Sequence, residues 1–234
     1  RVAPLISEGI RARLTAALAA GALFEARAEL RRIEAVQALH VDDPGAAHLL
    51  AQGLVDLGAA LARQGETDET RSEAEECFVR AEAILSDFDP IEAMSPLLAA
   101  TRYGLLAGLA DARPLSRDWY EDWCDLDPED ARAHAAHAVT LLPDRGGSAA
   151  AFERAARKAA ALTGQITGKA AYAIFHMTAH RHLGQALPVL DLDLLAQGLT
   201  DYQAATGCQH RANRAANLLA ELLREYRQAG PEAT

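Results

Sequence analysis

The motif Asp-Pro-x-x-Ala occurs three times in this chain, and it constrains the fold more than any other feature. It stands at Asp43-Pro44-Gly45-Ala46-Ala47, at Asp89-Pro90-Ile91-Glu92-Ala93 and at Asp127-Pro128-Glu129-Asp130-Ala131. A residue ahead of proline is pushed out of the α region, so a helix stops there. Proline itself suits the first turn of the following helix, and an aspartate before it can accept the free N–H groups. The alanine three residues beyond proline then lies one turn in, where a small side chain permits close helix contact. Pro44, Pro90 and Pro128 are spaced 46 and then 38 residues apart. Two helices of ~12–15 residues with short turns fill such a period, the arithmetic of stacked helical hairpins.

The residue types agree. The 234 residues include 53 alanines but only seven valines and seven isoleucines. Alanine is the best helix former, and the β-branched residues that favour strands are scarce. The pattern is all-α. Aromatics make up only 5% of the chain, so helices must meet through Ala and Leu at short axis-to-axis distances.

Along the chain, Ile10, Leu14, Ala17 and Leu18 recur at helical spacing, and Gly21 marks a turn before "LFEARAELRRIEAVQALH". After the first Asp-Pro joint comes "AAHLLAQGLVDLGAALARQG", with Gly65 at its end, and then an acidic start to "SEAEECFVRAEAILSDF". Pro96 opens or bends the next helix, and Ser116 or Asp118 is expected to cap the one that follows. Beyond the third joint, "PEDARAHAAHAVTLL", "AAAFERAARKAAALTG" capped by Ser148, "GKAAYAIFHMTAHRHLG", "LLAQGLTDYQAATG" and "CQHRANRAANLLAELLREYRQAG" bring the total to ten or eleven helices. The expected organisation is one domain over 1–230, with 231–234 a frayed tail.

Charge and cysteine content narrow the partners. The net charge is −10 and only Lys158 and Lys169 are lysines. No basic run is present to neutralise phosphates, so nucleic acid is not the expected partner. Cys77, Cys124 and Cys208 lack any C-x-x-C spacing, which points to a reducing compartment, and a cytoplasmic location is expected. Apolar runs such as "LTAALAAGALF" are shorter than the ~20 residues that span a bilayer, so no membrane partner is expected. The chain begins at Arg1, as a processed or trimmed form would.

Helix pairs, small residues at contacts and a proline at each joint resemble tetratricopeptide-like (TPR-like) repeat proteins. Residues 119–176 further resemble a segment of uncharacterised bacterial TPR-like proteins through the turn Leu142-Pro143-Asp144-Arg145-Gly146-Gly147-Ser148, where Asp144-Arg145 replaces that group's Arg-Trp. The resemblance implies a right-handed superhelix (α-solenoid) of antiparallel helix pairs, and it carries no activity with it.

Several constellations bear on function. His176 and His180 stand one helical turn apart, and His134 and His137 lie on another helix. An i, i+4 histidine pair can chelate a divalent metal. Trp119, Tyr120 and Trp123 put three aromatics within five residues and, with Tyr172, form either a space-filling anchor or a partner-facing patch. Gly146-Gly147-Ser148 and Gly168-Lys169 lack the rest of a phosphate loop and its preceding strand. No nucleophile elbow, activated cysteine or EF-hand spacing is present, so the reading is a non-enzyme, and no cofactor is expected. The leading expectation is a scaffold binding a protein or peptide. The alternative is a small-molecule or metal-binding helical protein using His134, His137, His176 and His180. Self-association is a third possibility, through the stripe Leu218, Leu219, Leu222 and Leu223.

Overall fold

The computed structural model describes residues 3–65 and 67–206, together with single positions 213, 216, 217, 220–222 and 224. Among the described residues all regular structure is helical. Over residues 3–206 eleven α-helices run in the order α1 (Ala3–Ala19), α2 (Leu23–Ala38), α3 (Pro44–Gln64), α4 (Asp68–Leu85), α5 (Pro96–Gly104), α6 (Ser116–Leu126), α7 (Ala131–Thr140), α8 (Ala149–Leu162), α9 (Gly164–Thr167), α10 (Ala170–Leu183) and α11 (Leu192–Thr206). Short 3-10 turns lie at Leu105–Ala107, Ala110–Leu115 and Pro143–Arg145. The chain packs as two compact units, Arg1–Asp122 and Trp123–Thr234, with the division inside α6.

In the first unit α1 pairs with α2 through the Gly21 turn, and α3 pairs with α4. The buried side chains of α3 face every direction: Leu49, Leu50, Leu54, Val55, Leu57 and Leu61 are all covered, and α1, α2, α4 and α5 pack around it. A helix that is apolar all round is a core helix. By length and composition alone α3 is apolar enough to cross a bilayer, which the shorter apolar runs did not announce; here 67% of that apolar stretch is buried by its neighbours. Thr67 closes a capping box with Thr70 at the start of α4, where Asp68 and Glu69 complement the helix dipole.

Only the first Asp-Pro joint works as its sequence implies. Asp43 Oδ1 accepts from the Gly45 and Ala46 amides at 2.7 and 3.2 Å, Pro44 opens α3, and Ala47 is fully buried. Asp89 likewise accepts from Ile91 and Glu92, at 2.7 and 3.1 Å, but Pro90 enters a turn and α5 waits for Ser95-Pro96. At the third joint Asp130 caps α7, its carboxylate accepting from the Arg132 amide at 2.9 Å, while Asp127-Pro128 lies in the preceding turn. A second cap residue lies downstream in both places, and α5 and α7 start at Pro96 and Ala131, which brings the buried Leu98 and Ala133 into their first turns. Replacing Asp43 with alanine is therefore expected to cost about 1 kcal/mol in urea unfolding, and Asp127→Ala less than about 0.5 kcal/mol. Equal losses would mean that Asp127 caps a helix after all. Ser116 is already helical, since a 3-10 turn runs straight into α6, so the expected cap there does not form.

In the second unit α10 is the central helix, in contact with α7, α8, α9 and α11. The Leu-Pro-x-x-Gly-Gly-Ser stretch forms the predicted tight turn. Gly146 adopts φ +84°, and a Cβ on Gly147 would sit 2.0 Å from the Leu141 carbonyl oxygen, so neither position tolerates a side chain. Ser148 then caps α8 through the Ala151 amide at 3.2 Å. Most of the predicted last helix, including its stripe residues Leu218, Leu219 and Leu223, lies outside the described residues, as do Cys208 and the tail 231–234; Leu222 is described and buried.

Candidate functional site

The histidines of the second unit belong to two separate neighbourhoods. His134 and His137 on α7 lie against the Phe175 ring, with centroids 6.5 and 6.0 Å apart. Phe175 meets Phe152 at 5.6 Å, and Phe152 meets His176 at 5.3 Å. Two phenyl rings thus stand between the α7 histidines and His176. Among the described residues no three His, Cys, Asp or Glu side chains converge to hold a metal ion. Burial pushes His134 and His137 down to about 4, so both are neutral at pH 7; a hydrogen bond to the Pro128 carbonyl partly opposes this at His134.

His176 is a partner of Glu153 on α8. The carboxylate, 12% exposed, accepts from His176 Nε2 at 3.1 Å, from the Tyr172 hydroxyl at 3.1 Å and from Arg157 Nε at 2.7 Å. Arg157 also donates to Asp191 Oδ2 at 2.9 Å, and the Asp191 amide donates to the Tyr172 oxygen at 3.0 Å. Asp191 Oδ1 in turn caps α11 through the Leu194 amide. Burial acts to raise the Glu153 carboxyl, but the hydrogen bonds from His176, Tyr172 and Arg157 outweigh it and hold the group below its ordinary value. Burial raises the Tyr172 phenol well above its ordinary value, so it is a poor base or nucleophile. The network ties α8, α10 and the approach to α11 together. His180, on the last turn of α10, is half-buried.

A cleft of about 300 Å³ opens beside His134, floored by Ala170, Ala171 and Ile174, with Glu129, Thr167 and Tyr202 at its edges. Its floor is small and apolar. The Gly168-Lys169 stretch beside it offers no phosphate cradle, because the Lys169 amide is taken by Asp201 Oδ2 at 2.6 Å.

Of the aromatic residues, Tyr120, Trp123 and Tyr172 are buried, and Trp119 is half-covered against the core of the first unit. Cys77 and Cys124 are buried, and burial pushes the Cys77 thiol up to about 11.

The first unit holds a feature that motif reading missed. His48, Gln52 and Asp56 are spaced i, i+4, i+8 along α3, a polar row on an otherwise apolar helix. Asp56 accepts from Gln52 Nε2 at 2.8 Å, which orients the amide so that Gln52 Oε1 takes the Thr101 hydroxyl at 2.9 Å. The Leu97 carbonyl also faces that hydroxyl at 2.9 Å. With its proton committed to these acceptors, Thr101 Oγ1 accepts from His48 Nδ1 at 2.9 Å. The other ring nitrogen, Nε2, is then an acceptor, and it is buried without a hydrogen-bond partner. Burial, with a smaller contribution from the nearby Arg11 charge, holds His48 down at about 4, and burial raises the Asp56 carboxyl above its ordinary value. The spacing of His48, Gln52 and Asp56 within an apolar run was the available signal. The chain matches no family model, no curated protein and no solved structure.

Proposed function

We propose that this chain is a TPR-like helical scaffold that binds a segment of polypeptide, without catalysis, along the polar row of α3. The observation that carries the reading is the polar row of α3 itself: Gln52 and Asp56 are half-buried and hydrogen-bonded to each other, and the row runs on through Thr101 to the buried His48, whose Nε2 is unpartnered. A buried acceptor without a donor costs free energy, and an alanine or leucine at this position would avoid that cost. Peptide backbone offers donors and acceptors at regular spacing, which the half-buried Gln52 amide and Asp56 carboxylate match along the helix. The contacts of α3 with both α1 and α5, beside its pairing with α4, support this reading, since alternate helices also meet in stacked hairpins.

Selection of random displayed peptides against the intact protein tests it. Enriched sequences are expected to bind the wild type and to weaken at least about tenfold on Gln52→Leu combined with Asp56→Leu, with helicity by circular dichroism unchanged. Enrichment of nothing, or affinities that the substitutions leave unmoved, would reject the proposal.

A further inference from the structure

At the end of the first unit where α3 and α5 begin, large apolar side chains stand in solvent. Leu39 is 81% and Met94 is 82% exposed, and Val41, Ile91 and Leu97 are exposed with them. They share one end of the unit because α3 and α5 run parallel: His48 meets Thr101, and Val55 lies against Gly104 further along both helices. The segments leading into the two helices, 39–43 and 89–95, therefore arrive side by side. Scattered exposed leucines are ordinary, but several on adjoining segments make a surface that association covers.

Segments 39–43 and 86–97 carry Asp42, Asp43, Asp87, Asp89 and Glu92, all exposed, and no Lys or Arg; among the described residues the cation reaching them is Arg102 of α5, half-buried, which donates to the Phe88 carbonyl at 2.9 Å and faces Asp89. Asp43 and Asp89 each use one oxygen to cap the local backbone and keep their charge facing outward; backbone hydrogen bonds hold the Asp89 carboxyl below its ordinary value. Met94 adopts φ +47°, a left-handed conformation that an L side chain rarely takes. It is held there by its own amide donating to the Ile91 carbonyl at 3.0 Å and the Ser95 amide donating to the Pro90 carbonyl at 2.9 Å. The turn presents an unbranched, adaptable apolar side chain at its tip.

We propose that this end of the first unit docks a basic amphipathic segment of a partner protein, its apolar side on Leu39, Val41, Ile91, Met94 and Leu97 and its Lys and Arg against the five carboxylates. Charge complementarity selects this occupant. An anionic membrane surface is repelled by the carboxylates, and a second copy brings the same acidic ends and a net charge of −10. The site goes beyond the α3 row, uses none of its residues, and rests on the scaffold reading only in taking a polypeptide.

The test is fluorescence anisotropy of a labelled leucine/lysine amphipathic peptide against the full chain, with a leucine/glutamate peptide of identical pattern beside it. The lysine peptide is expected to bind, to weaken at least about tenfold on Leu39→Ser with Met94→Ser, and to weaken again on Asp42→Asn with Glu92→Gln or in high salt. The serine changes keep the charge, so they separate docking from plain attraction to an acidic protein. No binding, equal binding of both peptides, or affinity unchanged by the serine pair would overturn the proposal. So would a loss confined to Gln52→Leu with Asp56→Leu, which would move the peptide to the α3 row and leave the scaffold reading standing. Equilibrium sedimentation closes the remaining alternative: a wild-type dimer dispersed by Met94→Ser would assign the surface to a second copy and overturn the proposal.

Discussion

Replacing Glu153 with alanine is expected to lower the stability of the second unit by about 3 kcal/mol, the cost of removing a charged acceptor from under several donors. The Tyr172 hydroxyl, His176 Nε2 and Arg157 all direct hydrogen bonds at this one carboxylate. The Tyr172 ring is fully buried and His176 nearly so, so neither can turn to water once the carboxylate is gone. Arg157 keeps Asp191 and, being half-exposed, recovers solvent. Glu153→Gln retains an acceptor and most of the shape, and about 1 kcal/mol is expected for it. Urea unfolding, together with hydrogen exchange of the α10 amides, reads both. A loss below about 1 kcal/mol for the alanine variant would show that the network orients α8 and α10 without stabilising them. The Phe175 and Phe152 rings stand between this network and His134 and His137.

Mild acid is expected to destabilise the protein steeply, well above the range where carboxylates titrate. His48, His134 and His137 are each held at about 4, against an ordinary value of 6.5. Their folded values are lowered, so between these limits the unfolded chain binds more protons than the folded one. The stability they contribute is complete above pH 6.5 and is lost as pH falls from 6.5 toward 4. Between pH 7 and pH 5 each contributes a loss on the order of 2 kcal/mol. The charges facing them leave the sign unchanged: Arg11 beside His48 and Lys158 beside His137 disfavour protonation, while Asp130 only partly offsets burial at His134. Glu153, whose folded value is also lowered, adds a further loss in the same direction at still lower pH. With two of these histidines, the second unit should give way before the first. Urea midpoints measured at pH 7, 6 and 5 test this, and His134→Phe with His137→Leu should flatten the profile of the second unit alone. Equal stability at pH 7 and pH 5 would mean that the buried rings reach water on protonation without unfolding.

Helix content and most helix positions could be read directly from the chain. Alanine abundance, the 3.6-residue recurrence of Leu and Ile, and the Gly21 and Gly146-Gly147-Ser148 turns depend on local backbone energetics, which neighbouring residues dictate. Asp43-Pro44 followed the same logic. Asp89-Pro90 and Asp127-Pro128 did not, because local capping at these places is satisfied by more than one residue. The choice fell to packing: Leu98 and Ala133 had to reach their cores, and Ser95 and Asp130 were the caps that let them. The sites were less legible still. Sequence spacing put His176 beside His180, yet the partner of His176 is Glu153, 23 residues away on α8. His48 looked like one more residue of an apolar run until Thr101, 53 residues on, oriented its ring. Periodicity along a helix is a property of consecutive residues, and so the sequence by itself determined the helical character and the turns at Gly21, Asp43-Pro44 and Gly146-Gly147-Ser148. Which polar groups face each other across helices depends on the rotation and spacing of whole elements, and only the tertiary structure decided that.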